Sequence, residues 1–261
     1  MVRRRAVVSG LVLCLNVLLL PVSASAGTKD YEVWLVDQSN SPGRSFGGTI
    51  YIYDGRELET TNPTKADPID IVDLGGATAA LCLGVTGANP VRPHMLVFNK
   101  ANTHAALTFV ASGHVVFYDA ETRAPLSCLR MAAGAGGARQ AHAGWPTADD
   151  RYLLVANQNG KRFERVATDY ASNAFTYDPA DAVDLVNGVT PNGLPRQDAS
   201  LRPDNAPICP FVASDNGPAF VSLRGGGMFV VDWQATPMRI IGEYDRDNVP
   251  ANGCGFIEAR G

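Results

Sequence analysis

Beyond its first 26 residues this 261-residue chain has no long apolar run. A helical membrane span needs roughly 20 consecutive apolar residues, so none is expected downstream. Charge is sparse too, at 18% of residues with a net −4. Nucleic acids and anionic membranes select a net basic footprint, and both are excluded as expected partners. Four histidines and five cysteines are present, with no Cys-x-x-Cys pair and no Gly-x-Ser-x-Gly nucleophile elbow. Ser112-Gly113-His114 has no companion to orient a base. The glycine-rich Gly134–Gly137 stretch lacks the lysine and following helix of a phosphate loop.

The start of the chain sets the expected compartment. Arg3, Arg4 and Arg5 precede an apolar run, Ala6 to Val22, that is interrupted by Ser9, Gly10 and Asn16. Ser23-Ala24-Ser25-Ala26 then offers small residues for a signal peptidase. Residues 1–26 read as a signal peptide and 27–261 as one domain, exported to a periplasmic or extracellular location. Cleavage removes three arginines and no acids, taking the net charge from −4 to −7. Cys14 leaves with the signal, so four cysteines remain.

Gly 26 and Pro 17 are high counts, and the residues are dispersed between short apolar runs, the mark of an all-β repeat fold. Four runs end in an apolar residue followed by Asp: Ile52-Tyr53-Asp54, Phe117-Tyr118-Asp119, Thr176-Tyr177-Asp178 and Val230-Val231-Asp232. Their Asp residues are 65, 59 and 54 apart. Asp suits a strand end because its carboxylate bonds the backbone two residues on and starts a turn. Val33–Asp37, Ala105–Ala111, Tyr152–Asn157 and Ala219–Leu223 precede them, and each pair reads as the second and third strands of one unit. Hairpins at Ser112-Gly113 and Gly225–Gly227 join them. Asp67–Leu74 and Asp178–Leu185 agree at six of eight positions, a weaker echo read as solvated edge charge.

Thr147-Ala-Asp-Asp-Arg-Tyr-Leu-Leu-Val-Ala-Asn-Gln-Asn-Gly160 is a polar turn, a short apolar strand and an Asn/Gly-rich turn. This word resembles the YVTN/lactonase-like repeat family, with its kinship to WD40-like propellers. The resemblance implies a β-propeller of four-stranded antiparallel blades, about four of them in this chain. Gly253–Arg260 reads as a first strand and the N-terminal part as starting near a second, so the two ends are expected to complete one blade and close a four-bladed ring. A truncated or divergent larger ring, or half a ring completed by another subunit, remains open. In the last case the chain is a homo-oligomer.

Innermost strands line a propeller's channel. Their expected starts are Arg92-Pro-His94, Gln140-Ala-His142, Pro207-Ile-Cys209 and Asn252-Gly-Cys254, each closely followed by an aromatic (Phe98, Trp145, Phe211, Phe256). His94, His142, Cys209 and Cys254 thus converge near the axis, and two imidazoles with two thiolates suit zinc or copper. A Cys209–Cys254 disulfide is the competing reading in an exported protein. It leaves only two histidines, and no cofactor is then expected. Cys82 and Cys128 read as buried thiols on diverging outer strands. His104 and His114 read as exposed turn residues, and Arg162, Glu164, Arg165 and Asp169 as a solvated loop. Asn157, Asn159 and Gly160 read as a positive-φ turn.

The function expected is a binding or interaction module for a protein or small molecule, with the long 186–205 loop as a contact surface. The resemblance also implies the alternative, a lactonase-like hydrolase or metal-dependent oxidoreductase using His94 and His142 at the channel mouth. Nothing in the sequence decides whether the chain is an enzyme.

Overall fold

A computed structural model describes residues 31–59 and 63–251. The expected signal segment, the Asn252–Cys254 start and the Gly253–Arg260 strand lie outside the described residues.

The chain forms four antiparallel sheets in sequence order. The first holds β1 (Glu32–Asp37), β2 (Thr49–Asp54) and β3 (Asp70–Asp73). The second holds β4 (Pro93–Phe98), β5 (His104–Phe109), β6 (His114–Asp119) and β7 (Pro125–Arg130). The third holds β8 (Ala141–Pro146), β9 (Tyr152–Asn157), β10 (Arg162–Asp169) and β11 (Ala174–Tyr177), with the two-residue β12 (Val183–Asp184) also pairing to β10. The fourth holds β13 (Pro207–Val212), β14 (Ala219–Leu223), β15 (Met228–Asp232) and β16 (Arg239–Tyr244). Each sheet packs face to face on the next. The first strands run side by side along one axis, β1 on β4, β4 on β8 and β8 on β13. This is the blade packing of a β-propeller. Among the described residues the series ends at β13, which does not pack on β1 as the neighbouring first strands pack on one another, so the four described blades form an arc. The Gly253–Arg260 strand expected to close it lies outside the described residues.

Three apolar seams hold the arc. Ile50, Ile52 and Leu74 meet Leu107, Phe109, Val116 and Tyr118 between the first two sheets. Val115, Phe117 and Met131 meet Leu153, Val155 and Val166 between the second and third. Leu154 and Phe163 meet Val221, Phe229 and Trp233 between the third and fourth. Strand alternation sends successive side chains to opposite faces, so the middle sheets are covered twice and β5 is buried at every residue.

Turn aspartates end the third strands. Asp119 accepts from the Glu121 and Thr122 amides at 3.0 and 2.7 Å, and Asp232 from those of Gln234 and Ala235 at 3.2 and 3.3 Å. In the third sheet this place belongs to Asp169, which accepts from Ala171 N–H at 3.1 Å. The expected Thr176–Asp178 word sits one strand too far along, because β11 is the outer strand. In the first sheet Val33–Asp37 lies in β1, the first strand rather than the second. The Asp67–Leu74 and Asp178–Leu185 echo also dissolves. One segment carries β3, the other a 3-10 turn followed by β12.

Among the described residues no strand follows β3 in the first sheet. After a single helical turn, α1 (Gly55–Leu58), earlier in the chain, a second helix, α2 (Ala77–Thr86), stands in the sequence position of an outer strand. Gly87 stops it in the left-handed conformation, φ +70°, where a side chain is strained. The helix packs on β7 and brings Cys82 to Cys128, and the two form a disulfide with Cα atoms 5.2 Å apart. The reading of two separate thiols is therefore overturned. It assumed that Cys82 lay on an outer strand diverging from β7, whereas a helix crosses the gap.

Several polar residues read as surface are interior. His114 is fully buried, its Nδ1 2.9 Å from Ser112 Oγ and its Nε2 2.8 Å from Thr86 Oγ1. His104 is buried against Tyr170, with Nε2 2.7 Å from Asn173 Oδ1. Arg162, Glu164, Arg165 and Asp169 all belong to β10. Glu164 is wholly buried, accepting from Tyr177 Oη at 2.8 Å and from Asn157 Nδ2 at 3.2 Å, and burial holds its carboxyl above the usual range. Arg165 is buried under Trp233 and Ala235, whose carbonyls it donates to at 2.6 and 3.0 Å. The left-handed residue of the β9–β10 turn is Lys161, φ +49°, and not Asn157, Asn159 or Gly160. A Cβ on Gly134 would lie 2.5 Å from the Gly160 carbonyl, so the glycine-rich loop serves close backbone packing.

Candidate functional site

The first strands of the second, third and fourth sheets share one device. In β4 the pairing shifts between Pro93 and Leu96, in β8 between Ala141 and Ala143, and in β13 between Pro207 and Pro210. Each shift inserts one extra residue, and such bulges re-aim a side chain. His94, His142 and the Ile208-Cys209 pair fall inside the three bulges. Arg92 prepares the first by adopting φ +59° just before the strand. The bulges bring the His94 and His142 rings to 4.6 Å between centroids. They border a pocket of about 370 Å³ with Trp34, Leu35 and Val36 of β1, Leu96 of β4 and Cys209 of β13.

Two residues that sequence reasoning missed fix these rings. Gln38, just beyond β1, donates its side-chain amide N–H to Nδ1 of His94. Thr108 sits buried between Leu107 and Phe109 of β5, where its Oγ1 accepts from Met95 N–H at 3.2 Å and donates to the His142 carbonyl at 3.3 Å. It thereby ties the first two bulges together. A lone buried Thr in an Ala-Ala-Leu-Thr-Phe strand was the available signal. Gln38 carried none, since nothing in the sequence relates it to a strand 56 residues away.

The tautomers follow from these bonds. His142 Nδ1 lies 3.0 Å from the Ile208 carbonyl and must carry the proton, so its Nε2 is an acceptor. His94 receives a hydrogen bond at Nδ1, so its proton sits on Nε2, a donor. Neither Nε2 has a hydrogen-bond partner among the described residues. Burial and the nearby Arg92 lower the His94 pKa below the usual histidine value. Burial and His94 lower that of His142, against the opposing pull of the Ile208 carbonyl. Both rings are therefore neutral at pH 7, and no charged side chain lines the pocket.

Of the four residues expected to ring a metal, the structure brings together His94, His142 and Cys209. Cys209 is disulfide-bonded, so its sulfur is not a free thiolate. Cys254 lies outside the described residues. Among the described residues no group of three or more His, Cys, Asp or Glu side chains is arranged to hold a metal. Larger cavities of about 600 and 660 Å³ open beside Trp34 and Phe98 and beside Gly134 and Asn187. Their cations are each paired to a carboxylate (Arg56 to Asp54, Lys161 to Asp204 and Arg162 to Glu164). The histidine pocket is smaller, and in it an unpartnered donor and an unpartnered acceptor converge.

The fold is that of the lactonase-like β-propellers. A Bacteroides fragilis protein provisionally assigned as a 6-phosphogluconolactonase superposes with a TM-score of 0.55 at 10% identity, over 82% of this chain and 53% of its own. A Bacteroides uniformis protein of the same assignment gives 0.56 at 10% identity, over 82% and 53%. The periplasmic gluconolactonase of Pseudomonas aeruginosa gives 0.52 at 16% identity, over 81% and 54%. This chain thus spans about half the length of the structures it matches, and identities this low establish the fold alone. No protein-family model and no curated relative matches the sequence.

Proposed function

We propose that this chain is an exported propeller binding module that takes an uncharged small molecule at the His94–His142 pocket. One observation carries this reading. Two neutral imidazoles, held 4.6 Å apart, offer one Nε2–H donor and one Nε2 acceptor inside an apolar wall. A hydroxyl or primary amide satisfies both at once. An anion finds no cation in the lining, and a metal ion finds two ligands. The Cys82–Cys128 disulfide supports export, since such bonds persist in oxidising compartments.

Hydrolysis of a lactone is the second reading. The unprotonated Nε2 of His142 favours it, being able to take a proton from an attacking water, and so does the fold shared with lactonase propellers. It lacks a second group in the pocket to stabilise an oxyanion apart from His94 Nε2–H.

Thermal-shift titration with neutral polyols, amides and glucono-δ-lactone tests both. Binding predicts a Tm rise with one or more neutral probes that is lost in His94→Ala and His142→Ala. Sugar phosphates are expected to give none. Acid release from the lactone, abolished by His142→Ala, would move the second reading ahead. A response confined to phosphorylated probes would contradict the first.

A further inference from the structure

The two end sheets of the arc each bury one face and leave the other uncovered by described residues. In the first sheet Ile50 and Ile52 point into the seam with the second sheet. Alternation puts Tyr51, Tyr53 and their cross-strand neighbours Leu35 and Ile71 on the opposite face. Leu35 and Ile71 are 51% and 55% exposed there, beside Ile69 at 54%. Isolated exposed apolar residues need no explanation, but a contiguous set on one face marks an interaction surface.

At the other end, Val221, Phe229 and Val231 face the third sheet. Phe220, Met228 and Val230 therefore face away, with Tyr244 paired to Met228 and 46% exposed. Counted back from the turn aspartates, Val230 and Met228 before Asp232 hold the places of Phe117 and Val115 before Asp119. Those two are fully buried in the seam between the second and third sheets. Each seam within the chain joins one sheet's forward face to the next sheet's backward face. The free pair is one of each kind.

We propose that the backward face of β1–β3 and the forward face of β13–β16 form a seam between two copies of this chain, closing two arcs into a twofold ring of eight blades. A head-to-tail contact that closes after two copies buries both end faces of both chains and leaves none open. It supplies two seams per dimer, each built like those inside the chain, against the roughly 1,000 Å² a stable interface must clear. The blade number lies within the 4–8 that propellers adopt. The arc covers 53% of each matched Bacteroides chain, so two copies supply about what one of those chains holds alone.

The test is sedimentation of the full chain purified from an exporting host, alone and as variants. A dimer is expected for the parent. Ile71→Asp and Val230→Asp, each placing a charge in the seam, are expected to weaken it at least ~100-fold. The two variants mixed should recover a dimer through the one undamaged seam. Circular dichroism and an intact Cys82–Cys128 bond confirm folding. Tyr51→Glu and Met228→Glu carry the same readout if either first variant fails that check. A monomeric parent, whether its end faces are bare or covered by its own residues outside the described ones, overturns the proposal. So does a dimer that only one of the two variants disturbs, or a mixture that stays monomeric.

Discussion

The second sheet and the first are built from similar words, yet their fates differ. In β5 all six residues are buried, whereas β2 alternates, burying Ile50 and Ile52 and leaving Tyr51 and Tyr53 part-exposed. Their sequences already separate them. Ala105-Ala-Leu-Thr-Phe109 is nearly unbroken in small and apolar residues, as a strand covered on both faces requires. Thr49-Ile-Tyr-Ile-Tyr-Asp54 interleaves aliphatics with tyrosines, whose hydroxyl ends tolerate water. Position in the arc, rather than strand propensity, decides what a side chain contributes.

The sharpest break in that contrast is a truncation at equivalent depth in each sheet. Phe117→Ala empties a fully buried site stacked 4.0 Å from Phe175 and is expected to cost about 3–5 kcal/mol in urea denaturation. Tyr53→Ala, on dilute monomeric chain, should cost under about 1 kcal/mol. Equal losses would mean that the first sheet is covered as fully as the second.

The joint between the two sheets can be cut directly. The Cys82–Cys128 bond closes a separation of 46 residues, and loop-closure entropy assigns it about 4 kcal/mol. The double alanine variant should lose that much stability, with α2 and β1–β3 exchanging amide hydrogens faster than β5 and β6. Uniform acceleration across both sheets would contradict a joint local to the helix.

Acid probes the same boundary. His114, buried under the Thr86 end of α2, is held at a pKa of about 4 by burial, with Arg130 and Arg139 adding to the effect. Its unfolded value is near 6.5, so below that pH the unfolded chain binds the proton first. The stabilisation is complete above 6.5, declines as pH falls toward 4 and is flat below it. The parent should lose about 3 kcal/mol over that window relative to His114→Gln. Parallel profiles for the two proteins would rule out a neutral buried ring.

A smaller effect belongs to the far end of the arc. Arg202 is buried in the 186–205 loop, donating to the Pro195 and Arg196 carbonyls at 3.0 and 3.1 Å with its guanidinium over Phe229. Arg202→Met should cost about 2 kcal/mol and loosen that loop alone, read by hydrogen exchange. An unchanged loop would mean that it is held elsewhere.

These contrasts also show what the sequence disclosed. Strand–turn words revealed the blades, and the spacing of the inner-strand starts placed His94, His142 and Cys209 together. The disulfide escaped because a helix, not a strand, carries Cys82, and no β-repeat pattern signals that exchange. His104, His114, Glu164 and Arg165 were misjudged for a shared reason, whereas Asp169 is exposed as expected: a polar residue beside a turn is exposed only if no neighbouring sheet covers it. The bulges were invisible, since pairing register depends on the partner strand. Gln38, which sets a tautomer across the pocket, could be found only in three dimensions.

The most direct test of the central claim is nitrogen-15 NMR of the histidine rings at pH 7. The account predicts two neutral imidazoles of opposite tautomer, His142 protonated at Nδ1 and His94 at Nε2. Matching tautomers, or a charged ring at either position, would contradict the paired donor and acceptor on which the binding proposal stands.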